Sequence, residues 1–475
     1  MGELSAGQRQ LVLAICCMSL FIFGIDVTIV NLALPSIQQS FHSSVSGLQW
    51  TIDVYTLVIA CLLLLSGSLA DRYGRRRVFQ IGLIVFSIAS LLCSVAPGLE
   101  WLVAFRGLQA IGGSMMNPVA LSIIVNTFTD KKERARAMGV WGSVFGLSLA
   151  LGPVIGGVLV SGIGWRSIFW INVPIGAAAI VLTQRFVPES KALRARRIDP
   201  LGQALVVVTL ASLTYGIIEG PNRGWHSALI LGLFVLSAVA LACFVVFELL
   251  RREPLIDVRF FRSVPFAGAS LIAVAAFAAL GSFLFLNTLY LQDVRHYSAL
   301  ESGLLTVPMA LMLFIFARVS GHLVGKHGPR RPLLLAGPPL TVGALLLVRL
   351  SPQTSLAYLV VAYLIFGVGC GLVNAPISTT AMSGMPLDQA GVAGAVASTG
   401  RQVGTSLGVA VTGSIVALGT GASFVSASHA AWLVVAGCGV AVGILGVVST
   451  GAWAKGTATR NGQRLARVSA STPRD

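Results

Sequence analysis

The sequence predicts an all-α integral membrane protein with fourteen transmembrane helices in two related halves. Three observations carry this. Of 475 residues, 55% are apolar and only 11% charged, about half the charge of a soluble domain, and the mean hydropathy is +0.85. The apolar residues gather in runs of about 20, the length that crosses a bilayer as a helix. Short patterns also recur far apart. In Gly67-Ser-Leu-Ala-Asp71-Arg72-Tyr-Gly74-Arg75-Arg76-Arg77, the residues Gly67, Gly74, Arg76 and Arg77 are echoed 254 positions later by Gly321, Gly328, Arg330 and Arg331. Gly112-Gly113-Ser-Met-Met-Asn117-Pro118 is echoed by Gly369-Cys-Gly371-Leu-Val-Asn374-Ala-Pro376. Repeats of this kind are a common plan of secondary transporters.

The expected spans are 11–34, 50–70, 78–96, 102–125, 138–160, 167–184, 201–219, 228–250, 265–290, 303–322, 332–349, 356–378, 391–417 and 431–453. Alternate connections test the order. One side holds 26 of the 33 Lys and Arg, among them Arg9, Arg72, Lys131, Arg194, Arg196, Arg197, Arg252, Lys326 and Arg474. The other holds Arg166, Arg223, Arg295 and Arg349. The positive-inside rule then puts both termini in the cytoplasm. The net charge of +16 is thus a membrane signature, since its residues lie in clusters between apolar runs, and nucleic acid is not an expected partner. Trp50, Trp101, Trp165, Trp225 and Trp432 fall near the expected outer ends of spans, where amphipathic rings favour the interface.

The repeat offset exceeds the roughly 190 residues of six spans with short loops, so two extra spans lie between the halves. The division reads 1–184 as an N-terminal six-helix bundle and 185–262 as two extra spans with basic links. A C-terminal bundle, 263–453, and a cytoplasmic tail, 454–475, follow. The seven cysteines, none in a C-x-x-C pair, fall inside apolar runs and read as small packing residues. No cluster has catalytic or metal-ligand spacing, so an enzyme is not expected and no cofactor is implied. Gly325-Lys326 is followed by His327, not by the Ser or Thr of a phosphate loop. Uphill movement then draws on an ion gradient, and one proton crossing 100 mV supplies about 2.3 kcal/mol, roughly fifty-fold accumulation of a neutral solute.

Arg106, Arg318 and Arg401 are the basic residues left inside spans, and Asp26 and Asp53 are acids well inside the first two. Charge within a membrane is costly and marks function by default. Asp26, Asp53 and Arg106 lie about 12, 5 and 8 Å below the outer ends of their spans at 1.5 Å per residue, within reach of one cavity. Burial disfavours a charged carboxylate and a nearby arginine favours it, so moving one against the other binds and releases a proton. A helix cap or a structural pair is the other reading of each. Arg318 is expected to snorkel to the cytoplasmic surface. Asn31, Asn117, Asn287, Asn374 and Arg401 are candidates for lining the pathway, with interhelical bonding as the alternative. The fifth span carries Gly142, Gly146, Gly152, Pro153, Gly156 and Gly157; a proline joint among close-packing glycines suits a rocking bundle.

These residues resemble the fourteen-span drug:proton antiporters of the major facilitator superfamily over nearly the whole chain. Asp26 to Pro35 resembles that family's first-span motif, Gly67 to Arg77 its cytoplasmic loop motif, and Arg106 to Gly113 its fourth-span motif. Gly146 to Gly157 is similar to its antiporter motif, and Trp165 to Gly176 to a segment of the fourteen-span branch. The resemblance implies two bundles that alternate access, with Asp26 and Arg106 in proton coupling. It also implies an inner gate around Gly67, Asp71, Arg72, Gly74 and Arg76. Gly325 stands where the second half of the repeat requires the acid, so a charge latch is expected on one half only. The expected function is proton-coupled export of lipophilic or amphipathic drugs or antibiotics, by a monomer in the cytoplasmic membrane. An exporter dedicated to one endogenous metabolite or peptide is the alternative, and a membrane sensor without transport is a third.

Overall fold

The computed structural model describes residues 5–191, 199–251, 255–385, 390–417 and 422–471. Arg194, Arg196, Arg197, Arg252 and Arg474, which entered the charge balance, lie outside them. The chain divides into two compact units, 1–203 with 284–307, and 204–283 with 308–475.

The first unit is built from α1 (Ala6–Phe41), α2 (Val45–Tyr73), α3 (Arg75–Ser94), α4 (Leu99–Thr127) and α5 (Lys131–Gly162), followed by the short α6 (Ser167–Trp170) and α7 (Asn172–Phe186). Its helices approach through small residues, as membrane helices do when no hydrophobic force distinguishes protein from lipid. Gly24 of α1 faces Ser148 of α5, Gly152 faces Thr28, and a Cβ at Gly156 would lie 2.7 Å from Ile29. Gly112 of α4 meets the Gly82 turn of α3, and Gly176 of α7 meets Ser87.

The second unit takes in most of α8 (Pro200–Arg223), then α9 (Ala228–Leu250), a 3-10 turn at Val258–Arg262, and α10 (Val264–Leu289) up to Phe283. A π turn at Tyr290–Val294 ends α10. Then come α11 (Ala299–His327), α12 (Arg330–Leu347), α13 (Leu356–Ala381), α14 (Ala390–Val416), α15 (Ala422–Thr450) and α16 (Ala452–Ser471). On α14, Gly404 and Gly408 seat Val274 and Ala278 of α10, and Gly337 of α12 meets Gly443 of α15. Phe283 stacks on Phe366 at 4.8 Å and meets Tyr363 and Trp432 edge-on.

The repeat is visible in the backbone. Gly74 breaks α2 from α3 at φ +112°, and Gly328, 254 positions on, breaks α11 from α12 at φ +76°. In each, the glycine N–H closes the preceding helix, onto Ala70 O at 3.0 Å and onto Val324 O at 2.9 Å. Left-handed backbone favours glycine, which is why both copies keep it.

Several expectations are corrected. Twelve helices among the described residues, rather than fourteen, are long and apolar enough to cross a bilayer; α12 and α14 are not among them. In α12 two arginines and three prolines dilute 18 residues, and in α14 Arg401, Gln402 and many Gly, Ser and Thr do the same. The expected span 167–184 stands among the twelve as Ser167–Phe186, with a turn at Ile171 dividing it into α6 and α7 and Pro174 in the first turn of α7, where a missing N–H costs little. Trp432 is not at a helix end: α15 starts at Ala422, and Trp432 is 1% exposed, ten residues in. A polar onset of Ser423, Ser426, Ser428 and His429 hides that start from hydropathy. Ala452–Ser471, which takes in the described part of the expected tail without deciding its side of the membrane, forms α16, docked through Thr457 Oγ1, which accepts from Val264 N at 3.0 Å, and Asn461 Nδ2, which donates to Arg259 O at 3.1 Å.

Candidate functional site

Within the first unit, α1, α2, α3, α4 and α7 converge on one buried polar cluster. Asp26 of α1 is 0% exposed and Arg106 of α4 is 1% exposed. Arg106 Nη1 donates to Asp26 Oδ2 at 2.7 Å, and Arg106 Nε to the Thr51 carbonyl of α2 at 3.3 Å. The other carboxylate oxygen, Oδ1, accepts from Gln109 Nε2 at 3.0 Å and Asn172 Nδ2 at 3.3 Å. Gln109 Oε1 in turn accepts from Arg106 Nη1 at 2.8 Å, so Gln109 touches both ions. Ser90 of α3 accepts from Gln109 and Asn172 and donates to Phe169 O. The guanidinium carbon lies 4.0 Å from the centroid of the Tyr55 ring, a cation–π distance.

Local sequence explains the convergence. Arg106 and Gln109 are three apart on α4 and share a face. Thr51 and Tyr55 share a face of α2 for the same reason. Asn172 opens α7 right after the α6–α7 break, which aims it inward. A buried ion pair is tolerable only when its remaining donors and acceptors are occupied, and here four neutral groups do so.

Asp53 is 0% exposed, but the α2 groups that touch Arg106 come from Thr51 and Tyr55. Two residues are about 200° of helix, so Asp53 faces away from them. Asn31 is buried, with Nδ2 donating to Val27 O at 3.1 Å. Asn117 is partly buried with its Oδ1 enclosed, Asn287 is buried on α10, and Asn374 is partly buried on α13.

At the α2–α3 break, Asp71 pairs with Arg75 at 2.9 Å, while Arg72 is exposed beside Tyr73. The Arg76 and Arg77 N–H groups, at the start of α3, donate to the carboxylate of Glu189 at 3.0 and 3.3 Å. Arg75 N donates to Ser190 O at 2.9 Å and the Arg76 side chain to Val187 O at 3.4 Å. A Cβ at Gly74 would come within 2.7 Å of the Glu189 carboxylate, whereas one at Gly67 would meet nothing within 4 Å. Glu189 thus caps α3 from the segment after α7, where the positive end of a helix attracts an anion.

On α5, Gly152, Pro153, Gly156 and Gly157 are buried and Gly146 is half-buried. The glycines are close-contact points: Gly152 and Gly156 against α1, and Gly157 against Leu300 of α11, 2.7 Å from a Cβ. Asn172 stands in the segment from Trp165 to Gly176 and is an inward-facing polar candidate by sequence; Gln109, Ser90, Thr51 and Glu189 complete these sites and were not among the residues singled out for them. The signal available for Gln109 was its i+3 spacing from Arg106; for Glu189, partnered across more than a hundred residues, there was none.

Residues 16–409 match the family model described as Major Facilitator Superfamily. The multidrug resistance protein Stp of Mycobacterium tuberculosis is 38% identical over 84% of this chain and 74% of its own. The tetracenomycin C resistance and export protein of Streptomyces glaucescens is 36% identical over the same shares. A solved bacterial homolog of the human lysosomal transporter Spinster, inward-facing and unoccupied, superposes with a TM-score of 0.64 at 19% identity, covering 97% of this chain and 99% of that one.

Proposed function

The chain belongs to the major facilitator superfamily, and from that premise we propose that it exports lipophilic or amphipathic small molecules of the drug and antibiotic kind in exchange for protons. The observation that carries the reading is the sealed Asp26–Arg106 pair with its neutral partners. Protonation neutralises Asp26, and Arg106 retains Gln109 Oε1 and the Thr51 carbonyl. The two protonation states therefore favour different arrangements of α1 against α4, which couples a proton to a change of shape. The names of relatives that confer multidrug and antibiotic resistance support efflux as the direction.

In this reading fourteen helices cross the cytoplasmic membrane with both termini inside, the basic clusters setting the orientation. Residues 1–184 and 263–453 form the two bundles, and α8 and α9 are additions. The burial of Leu333, Ala336, Leu340, Ala344 and Leu347 along one face of α12 supports its crossing among other helices. Gly67, Asp71, Arg72, Gly74 and Arg76 form the inner gate, and Gly146, Gly152, Pro153, Gly156 and Gly157 the joint of α5. Asp53 shares in the proton coupling with Asp26 and Arg106, and Asn31, Asn117, Asn287, Asn374 and Arg401 line the pathway. The transporter works as a monomer, without a cofactor. A dedicated exporter of one compound is the second reading, favoured by the relative named for tetracenomycin C export.

Purified protein in liposomes under an imposed pH gradient, with a panel of fluorescent solutes and internal pH followed together, tests this. Solute movement is expected to collapse with the gradient and to vanish in Asp26→Asn. Full gradient-driven efflux by Asp26→Asn would remove Asp26 from the coupling, and absence of both fluxes across the panel would overturn multidrug antiport.

A further inference from the structure

Each unit holds an arginine deep in a helix, but only one has a counter-charge. Arg106 has Asp26 at 2.7 Å. Arg401 lies on α14, eleven residues from Ala390 and fifteen from Val416, so about 17 Å from the nearer end and beyond the reach of headgroups. Its Nη2 donates to Ser378 Oγ at 2.8 Å and weakly toward Asn374 O at 3.5 Å. The guanidinium carbon stands 5.7 Å from the centroid of the Phe277 ring. Its Nε is enclosed without a hydrogen-bond partner, and no carboxylate pairs with it among the described residues. The described acids of this unit are engaged elsewhere: Glu219 with Arg223, Glu248 with Ile256 N, and Asp257 with Arg259 N.

A guanidinium carries five N–H donors in a fork that matches a carboxylate, and in a membrane an uncompensated one costs several kcal/mol. The residue as a whole is half-buried, less enclosed than Arg106. We infer that Arg401, with the Ser378 hydroxyl and the Phe277 ring, binds the acidic group of the transported solute, and that the solutes include lipophilic aromatic acids carried as anions. This rests on the export reading above and names its substrate class. Asp26, already engaged by Arg106, Gln109 and Asn172, is not available to attract cations.

The test is binding, which is independent of transport. Tritiated 2-naphthoate and 2-naphthamide are titrated onto immobilised full-length protein by scintillation proximity, in gluconate and in chloride buffer. Wild type is expected to bind naphthoate at least tenfold tighter than naphthamide. Arg401→Gln should lose that preference while keeping its naphthamide affinity, which also reports that it is folded. Arg401→Lys should retain part of the preference, and Ser378→Ala should weaken naphthoate alone by a few-fold. Equal naphthoate binding by wild type and Arg401→Gln overturns the inference. So does a wild type that ignores naphthoate, or one in which chloride at millimolar concentration removes it wholly, since the site then serves an inorganic anion. Loss of flux in liposomes with naphthoate binding intact would instead count against the export reading alone.

Discussion

At the scale of the residue, the Asp26–Arg106 pair is held by bonds that make each ion depend on the other. Asp26→Asn leaves a guanidinium at 1% exposure without an anion, and Arg106→Gln leaves a carboxylate at 0%. Breaking a buried pair from one side costs about 3–5 kcal/mol. The double substitution leaves amides among Gln109, Asn172 and Ser90, all of which donate or accept, so its cost should fall well short of the summed singles. Thermal unfolding of the four proteins in detergent measures this; additive losses would mean that the ions do not act as a pair. Asp26 and Arg106 were legible as a pair because charge in an apolar run stands out and depth along a helix is simple arithmetic. Ser90 was not, and the bond from Asn172 to Asp26 was not, because a neutral polar residue in a membrane helix looks the same whether it bonds a neighbouring carbonyl or a buried ion. For Asp53 depth alone was legible, and depth carries no information about which face of α2 it occupies.

At the scale of the element, α5 shows how glycines on one helix differ. A methyl group at Gly142 would meet nothing within 4 Å, while one at Gly152 would run into Thr28 Oγ1 of α1. Gly142→Ala should therefore be neutral or slightly stabilising, as alanine is the better helix former by about 1 kcal/mol. Gly152→Ala should cost about 1–3 kcal/mol through overpacking and reduce efflux, since α1 carries Asp26 two residues from the contact at Thr28. Melting temperature and liposome flux read both variants, and a Gly152→Ala protein as stable and active as wild type would show that the α1–α5 seam is loose. The α2–α3 break repeats the lesson. Gly74 needs its glycine twice over, for φ +112° and for the room that Glu189 takes. The first need is local and reappears at Gly328; the second depends on a side chain brought from the far end of the unit, which no spacing announces.

At the scale of the whole molecule, the open matter is whether α12 and α14 cross. Hydropathy sets them apart from the twelve other long helices, yet length and packing argue for crossing. At 1.5 Å per residue α12 spans about 27 Å and α14 about 40 Å, against a hydrocarbon core of about 30 Å. The arginines of α12, Arg330 and Arg331, sit at its first turn, where they can remain in water. The polar residues of α14 include those that seat α10 and α13, so composition there reflects protein contacts and not solvent. Both twelve and fourteen crossings are even, so locating the termini decides nothing. Residues flanking α12 do decide. In a protein whose seven cysteines are replaced, Lys326→Cys and Gln353→Cys should be labelled by a membrane-impermeant maleimide from opposite faces of sealed vesicles, with Lys326 on the side of the basic clusters. Ser383→Cys, beyond α13, should return to the side of Lys326. Lys326 and Gln353 labelled from one face with Ser383 on the other would leave α12 outside the membrane and reduce the count, since α13 still crosses between Gln353 and Ser383. Labelling that alternates would mean that a run too polar for a hydropathy window crosses because its neighbours, rather than lipid, surround it.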